Sequence, residues 1–290
     1  MKTREAMAWA RQRLAGAAIP DAALDADVLL MEASARSRAA LYAALPEPLP
    51  ESALRRFEGL VDRRLHREPL AYIVGRREFF GLDLMVDSNV LVPRQETETV
   101  VERVLDLVGR SFPHGDARIA DVGTGSGAIA VSLAVHLPGA RILATDISRP
   151  ALRVAALNSR RHGVEERVTL LLGDLLEPLD GPLDIVVANL PYIPASQWDR
   201  LQPEIRRFEP KGALVPGQDG LAAIRRLLCQ IAGRAERPRW TVLEVGDGQA
   251  AAVVQEAHRR FAGAHVTTFR DLQGLERGVV IELPAAGHAG

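Results

Sequence analysis

The chain has 290 residues, of which 47% are hydrophobic, and a formal net charge of −1. This length is sufficient for two domains with substantial cores, and the balanced charge argues against a protein attracted electrostatically to nucleic acid or to membranes. The single cysteine, Cys229, excludes a disulfide framework and a paired-cysteine metal site, so we expect no metal and a reducing compartment. Its helical pattern predicts that Cys229 is a small buried residue.

The start of the chain and the length of its apolar runs bear on localisation. Met1 leads into a charged amphipathic stretch rather than a signal peptide, and no apolar run reaches the length of a membrane span. We therefore expect a cytoplasmic protein that does not engage membranes.

Apolar residues recur at helical spacing from residue 1 to about 75, interrupted by proline-containing turns, which predicts a small all-helical domain. Short β-type runs follow at 78–86 and 89–92, and Asp87-Ser88-Asn89 is predicted to be the turn between them. Residues 76–93 are thus expected to form a β-hairpin linker. A helix is predicted from about Gln95 to Gly109.

From Arg118 onward strands alternate with helices, which is typical of βαβ units and a parallel, doubly wound sheet. The expected fold of residues 94–290 is therefore a Rossmann-like α/β domain. The last two strands lie too close for a crossover helix, so the final strand should pair antiparallel at one edge. The predicted strands are 118–122, 141–145, 168–172, 183–188, 240–245, 264–269 and 278–283, and the helices are 126–137, 150–162, 218–233 and 247–261.

A glycine turn follows the first of these strands. Gly123, Gly125 and Gly127, with Thr124 and Ser126 between them, can make a tight turn and let a ligand approach the backbone. The turn alone fits NAD, FAD or S-adenosylmethionine.

The next two strands end in further candidate ligand-binding residues. Asp146 is placed to accept hydrogen bonds from ribose hydroxyls, although a helix N-cap is the alternative. Leu175 is a candidate to pack on an adenine ring, and Asp174 to accept from its amino group, unless Asp174 is a simple turn residue. Because S-adenosylmethionine carries a sulfonium and no phosphate, the acidic turn beginning at Asp121 suits it better than a dinucleotide.

The most informative motif is Asn189-Leu190-Pro191-Tyr192, which follows the fourth strand. The amide oxygen of Asn189 can accept one N–H of an –NH2 group, and the carbonyl of Leu190 can accept the other. Pro191 biases the preceding residue toward an extended backbone, and Tyr192 offers a flat apolar wall. This pattern favours methyl transfer to nitrogen, with the motif as the catalytic and substrate-binding element.

These motifs together resemble the class I S-adenosylmethionine-dependent methyltransferases. More narrowly, the chain is similar to the bacterial release-factor glutamine methyltransferases, the PrmC/HemK family, over nearly its whole length. The matching residues are 68–75, 78–79, 81, 90–98, 121–129, 146–148, 158, 173–174, 189–193, 209–210, 213–214, 217–221, 244–246 and 249.

The resemblance implies methylation of the side-chain amide nitrogen (N5) of the glutamine in the Gly-Gly-Gln loop of class 1 peptide chain release factors, a step supporting translation termination. It implies that S-adenosylmethionine is held by residues 123–127, Asp146, Asp174, Leu175 and Asn189, and that residues 189–192 bind the glutamine. The balanced charge of residues 1–75, their lack of motif chemistry and their position before the hairpin linker predict that they recognise the protein substrate. We expect a monomer. The family usually has proline where this chain has Leu190, a change that should leave the backbone carbonyl available.

Two other enzyme activities share the chemistry of an –NH2 substrate. A nucleic-acid N6-adenine methyltransferase is one, but the balanced charge disfavours direct nucleic-acid binding. A ribosomal-protein glutamine methyltransferase is the other, and Glu96-Thr97-Glu98 favours the release-factor branch over it. A non-catalytic cofactor-binding scaffold is a third possibility, against which the intact Asn189 argues.

Overall fold

A computed structural model describes residues Met1–Pro284. The chain divides into two compact units. Unit 1 comprises Met1–Arg76 and Gln202–Phe208, and unit 2 comprises Arg77–Leu201 and the rest of the described chain from Glu209. Between Met1 and Pro284, no helix combines the length and the apolar character needed to cross a bilayer.

The α-helices of the described chain are α1 Thr3–Gly16, α2 Ala22–Ser34, α3 Arg38–Ala43, α4 Glu51–Leu65, α5 Leu70–Val74, α6 Glu98–Ser111, α7 Ala128–His136, α8 Arg149–Arg161, α9 Pro203–Phe208, α10 Ala222–Gly233 and α11 Ala250–Arg260. The strands are β1 Arg76–Phe79, β2 Leu82–Met85, β3 Arg118–Val122, β4 Arg141–Asp146, β5 Val168–Leu172, β6 Ile185–Ala188, β7 Trp240–Glu244, β8 His265–Arg270 and β9 Glu276–Glu282.

Unit 1 is helical because its apolar residues repeat at threes and fours. Ala6, Ala10 and Leu14 form the buried stripe of α1, while Phe57 and Val61 form that of α4. Burial of a large apolar side chain stabilises a fold by roughly 1.5–3 kcal/mol, so these stripes hold the helices of the unit together.

A buried ion cluster connects three helices of unit 1. Arg64 donates to Asp25 across 2.7 Å and to Glu204 across 3.0 Å, and Arg67 donates to Glu204 across 3.2 Å. Because an unpaired charge in a core costs several kcal/mol, this pairing explains why α9 belongs to unit 1 although it lies far along the chain. Sequence patterns did not predict that membership.

Unit 2 is built on a seven-stranded sheet of order β5-β4-β3-β6-β7-β9-β8. Neighbours from β5 to β7 are parallel, whereas β9 is antiparallel to both β7 and β8. The predicted mostly parallel Rossmann-like sheet with an antiparallel final strand is therefore confirmed. The chain leaves β3 toward β4 on one side and returns to β6 on the other. Such a switch point opens a crevice at the carboxyl ends of the strands.

The predicted hairpin was wrong in its pairing. The two-stranded sheet joins β1 to β2 through a two-residue turn, Phe80-Gly81, at φ of 51° and 74°. Both angles are positive, as a tight hairpin turn requires. Residues 89–92 form no strand, and two of their N–H groups have other acceptors: that of Val90 donates to the Asp87 carbonyl across 3.2 Å and that of Val92 to the Glu209 carboxylate across 3.3 Å.

Cys229 is exposed, which corrects the expectation that it is buried. The buried stripe of α10 consists of Ile224, Leu227, Leu228 and Ile231. Cys229 follows Ile224 by five residues and so falls outside a stripe spaced at three, four and seven.

Candidate active site

A cavity of about 520 Å³ lies where β3, β4, β5 and β6 end. This size is ordinary for a small-molecule site. The structure brings most of the predicted site residues to its wall. Those lining it are Gly123, Thr124, Gly125, Ser126, Asp146, Asp174, Leu175, Asn189, Leu190 and Pro191. Gly127 and Tyr192 are not among its lining residues.

The glycine turn after β3 is held in place by the neighbouring strand. The N–H groups of Gly123 and Thr124 both donate to the Thr145 carbonyl across 2.9 Å. Gly125 has φ of +55° and open space where a side chain would be. A Cβ on Gly127 would lie 3.2 Å from the Ala155 backbone. Gly125 thus leaves room for a ligand, whereas Gly127 permits close packing against α8.

Asp121 lies beneath the turn rather than in the cavity wall. It is 1% exposed, and its Oδ2 accepts from the Thr124 hydroxyl at 2.6 Å and from the Ala130 N–H at 3.1 Å. Burial raises the pKa of Asp121 to about 7. Its other oxygen, Oδ1, is buried without a hydrogen-bond partner. In this arrangement Asp121 fixes the turn from below.

Asp146 organises the end of β4. Its Oδ2 accepts from the Gly125 N–H at 2.9 Å, and its Oδ1 accepts from the Ser148 N–H at 2.8 Å. Burial raises the pKa of Asp146, and these backbone donors oppose that shift. A carboxylate oxygen can accept more than one hydrogen bond, so both oxygens retain capacity to bind a pair of hydroxyl groups.

The segment after β5 carries a charge pair and a strained leucine. Asp174 forms an ion pair with Arg226, which also lines the cavity. Leu175 is buried at φ of 53°, and its carbonyl accepts from the Thr145 hydroxyl at 2.8 Å. A leucine in the left-handed region is strained, and such strain often occurs at ligand sites.

Asn189 is fixed by a chain of side-chain hydrogen bonds. Its Nδ2 donates to the Thr97 Oγ1 across 3.0 Å, and the Thr97 hydroxyl donates to Glu244 across 2.6 Å. The Tyr192 hydroxyl donates to the other Glu244 oxygen across 3.2 Å. Burial raises the pKa of Tyr192, so this hydroxyl remains a donor. We call Thr97, Glu244, Asn189 and Tyr192 the relay.

The backbone of the motif is held from a second direction. The Gln249 amide donates to the Tyr192 carbonyl across 2.8 Å and accepts from the Gly246 N–H across 2.9 Å. A Cβ on Gly220 would lie 2.2 Å from the same Tyr192 carbonyl. Leu190, which replaces the usual proline, is buried, with its Cδ2 3.0 Å from where a Cβ on Gly123 would lie. The leucine is therefore packed rather than free.

Sequence reasoning assigned no role to Thr97, Glu244, Gln249 or Arg94. Arg94 lines the cavity and donates to the buried Glu209 carboxylate across 2.7 Å. The available signal for Glu244 was an acidic residue directly after the apolar run Val242–Leu243, at the carboxyl end of a strand. No comparable signal connects Thr97 to Asn189, because they are 92 positions apart.

Solved structures with the same architecture define the class of fold. The human METTL16 catalytic domain, solved with a MAT2A 3′UTR hairpin, superimposes with a TM-score of 0.60 at 18% identity, covering 80% of this chain and 84% of that one. The N-terminal domain of human METTL16 in complex with SAH gives 0.53 at 19% identity, covering 71% and 77%. Unit 2 thus has the class I methyltransferase fold.

Sequence comparison identifies the family. Residues 5–75 match the family profile described as PrmC N-terminal domain, and residues 102–216 match that of ribosomal protein L11 methyltransferase. The release factor glutamine methyltransferase of Moorella thermoacetica is 45% identical, over 96% of this chain and 97% of that protein. Those of Geobacter sulfurreducens and Bacillus subtilis are 40% and 37% identical, over 95% of this chain in each case and 95% and 96% of those proteins. The chain belongs to the release factor glutamine methyltransferase family.

Proposed function

We propose that this protein transfers a methyl group from S-adenosylmethionine to the side-chain amide nitrogen of the glutamine in the Gly-Gly-Gln loop of class 1 release factors. The observation that carries this proposal is the orientation of Asn189. Its amide nitrogen is bound to Thr97, so its carbonyl end is the one left to accept from a substrate –NH2. The names of the full-length relatives favour this substrate over adenine or a ribosomal protein.

The cavity suits S-adenosylmethionine in shape and in charge. Open space at Gly125 fits the methionine part of the cofactor, and the spare acceptor capacity of Asp146 fits its ribose. Leu175 and the Asp174 side chain line the wall where an adenine ring would lie. Asp146 also provides negative charge toward a sulfonium, whereas the charge of Asp174 is offset by Arg226. When bound, S-adenosylmethionine supplies an electrophilic methyl group.

The protein's own residues position the substrate and stabilise charge. An amide nitrogen is a poor nucleophile because its lone pair is delocalised into the carbonyl. The Asn189 Oδ1 and the Leu190 carbonyl would each accept a hydrogen bond from one N–H of the substrate amide. This would turn the nitrogen lone pair toward the methyl group. As the N–C bond forms and the methyl–sulfur bond of the cofactor breaks, the positive charge would move from sulfur to nitrogen and leave a neutral thioether, and these two oxygens would stabilise the charge on nitrogen. The proton leaves to solvent afterwards, so no general base is needed in the wall.

Residues 1–75 would recognise the release factor, and residues 94–290 would carry out the transfer in a monomer. The glutamine loop alone offers less surface than the roughly 1,200–2,000 Å² that a specific complex buries, so a second contact region is needed. Hydrogen exchange of the protein with and without release factor tests this division. Protection within α1–α5 supports it, and protection confined to unit 2 contradicts it.

Transfer of labelled methyl groups tests the proposed reaction directly. The protein is incubated with labelled S-adenosylmethionine and a class 1 release factor, and the label is located by peptide mass spectrometry. We expect one methyl group on the loop glutamine and none on a release factor in which that glutamine is replaced by alanine. Labelling of adenine in DNA or RNA, or of a ribosomal protein instead, would overturn the proposal.

A further inference from the structure

The relay contains a buried carboxylate with two donors and no direct contact with the cavity. Glu244 is 1% exposed and Thr97 is 4% exposed. Thr97 donates to one carboxylate oxygen and Tyr192 to the other. Glu244 is absent from the cavity wall, whereas Thr97 and Asn189 line it. The carboxylate therefore contacts the motif directly at Tyr192 and reaches Asn189 only through Thr97.

The direction of the hydrogen bonds determines how the Asn189 amide is turned. A threonine hydroxyl has one proton, and Thr97 gives it to Glu244. The Thr97 oxygen can then only accept, so the amide nitrogen of Asn189 must face it. The flipped amide would place its oxygen against the lone pairs of Thr97, which is repulsive. An ionised Glu244 thus sets which end of Asn189 is directed away from Thr97.

We propose that Glu244 and Thr97 are positioning residues, which lock the Asn189 amide so that its oxygen is presented to the substrate nitrogen. This inference rests on the proposed function of Asn189 as the acceptor of the glutamine amide. It assigns a role in rate, not in cofactor binding, to two residues 147 positions apart.

The charge state of the relay is set by the groups around Glu244. Burial raises the pKa of Glu244 to about 7, while the hydrogen bonds from Thr97 and Tyr192 and the charge of Arg277 oppose this shift and Glu96 adds to it. Arg277, on β9, is itself paired with Asp271 at 3.0 Å. As pH falls through about 7, Glu244 gains a proton. Its protonated oxygen is then a donor rather than an acceptor. The Thr97 hydroxyl is then no longer restricted to donating to Glu244, and the orientation of the Asn189 amide is less strictly fixed.

The state of the Asn189 amide can be observed without any turnover. The chain has three asparagines, Asn89, Asn158 and Asn189, so ¹⁵N-asparagine labelling gives few side-chain signals, which single substitutions assign. We expect the Asn189 amide to shift with an apparent pKa near 7 in the wild-type protein, and not in Glu244→Gln. Asn158 is the internal reference, because its amide donates to the Met85 and Ser126 carbonyls.

Kinetics of matched variants complete the test. Relative to wild type, Glu244→Gln and Thr97→Val should lower kcat roughly 10²-fold, the cost of a small misplacement of a positioned group. Affinity for S-adenosylmethionine should change less than about twofold, while Thr97→Ser, which keeps the hydroxyl, should retain most activity. Glu282→Gln, at the far end of β9 and ion-paired with Arg239, is the control with unchanged kcat.

Three results would overturn the inference. The first is a normal kcat and pH profile in Glu244→Gln. The second is a loss of cofactor affinity as large as the loss of kcat in Glu244→Gln and Thr97→Val. The third is an Asn189 amide signal that still titrates in Glu244→Gln. Failure of the proposed function is distinguished from these because wild-type protein would then leave the release factor unlabelled, while the amide titration would still report on the relay.

Discussion

Where the cavity meets the end of β4, a carboxylate is held by backbone amides, whereas beside β6 an asparagine is held by a chain of side chains. At the end of β4, the Asp146 carboxylate accepts from the Gly125 and Ser148 N–H groups. Asn189, by contrast, reaches Glu244 only through Thr97. The first arrangement depends on chain conformation and suits tight binding. The second depends on the direction in which each proton is donated and suits the orientation of a reacting group. Substitutions in the first arrangement should therefore change cofactor affinity, and substitutions in the second should change kcat.

Asn189→Ala should have the largest effect on the reacting end. Removing an acceptor aimed at developing charge typically lowers the rate on the order of 10²–10³-fold. Cofactor affinity should stay within about threefold, since Asn189 is proposed to bind the substrate amide more than the cofactor. Single-turnover rates and calorimetry on the same preparation measure both. A turnover rate close to that of the wild-type protein would contradict the role of Asn189 as the acceptor of the substrate amide.

Gly220→Ala tests whether the backbone support of the motif matters as much as its side chains. A Cβ at this position would lie 2.2 Å from the Tyr192 carbonyl and 2.7 Å from the Gln249 amide nitrogen, so the motif must move. A displacement of about 1 Å can cost roughly 10²-fold in rate. Gly163→Ala is the control, since Gly163 has φ of +66° but open space around it. Equal rates in both variants would contradict the prediction.

Asp146→Ala should act at the other end and weaken cofactor binding. Hydrogen bonds to a charged group contribute about 1.5–3 kcal/mol each, so the dissociation constant should rise at least tenfold. The kcat at saturating cofactor should change far less than it does in Asn189→Ala. Calorimetric titration with S-adenosylmethionine measures the first effect. An unchanged affinity would mean that the end of β4 is not the ribose site.

The structure brings most of the residues predicted for the cofactor end to one cavity wall, and they could be selected from sequence because they belong to local patterns. Glycines after β3 and an acid after β4 are readable as strand–turn–helix units, and the sheet follows from their repetition. The relay could not be read in this way, since Thr97 and Glu244 are paired only by folding. The hairpin was missed for a related reason. Its turn places Phe80 at positive φ, where sequence rules expect asparagine or glycine, while Asp87-Ser88-Asn89 offered a stronger turn signal.

The smallest expected effect concerns the proposed adenine end of the cavity, where Asp174 forms an ion pair with Arg226. The Arg226 side chain is 58% exposed, and exposed ion pairs contribute only about 0.2–1 kcal/mol. If Asp174 must release Arg226 to accept from an amino group, Arg226→Ala should tighten cofactor binding by less than about fivefold. Asp174→Ala should weaken it.

Arg225→Ala is the matched control for this comparison. Arg225 is the adjacent residue on α10, but it pairs with Asp219 and Glu256, outside the cavity wall. Its removal should leave cofactor affinity unchanged in the same calorimetric titration. If Asp174→Ala also leaves affinity unchanged, Asp174 is a turn residue and its side chain does not bind the cofactor, unlike the carboxylate proposed for Asp146.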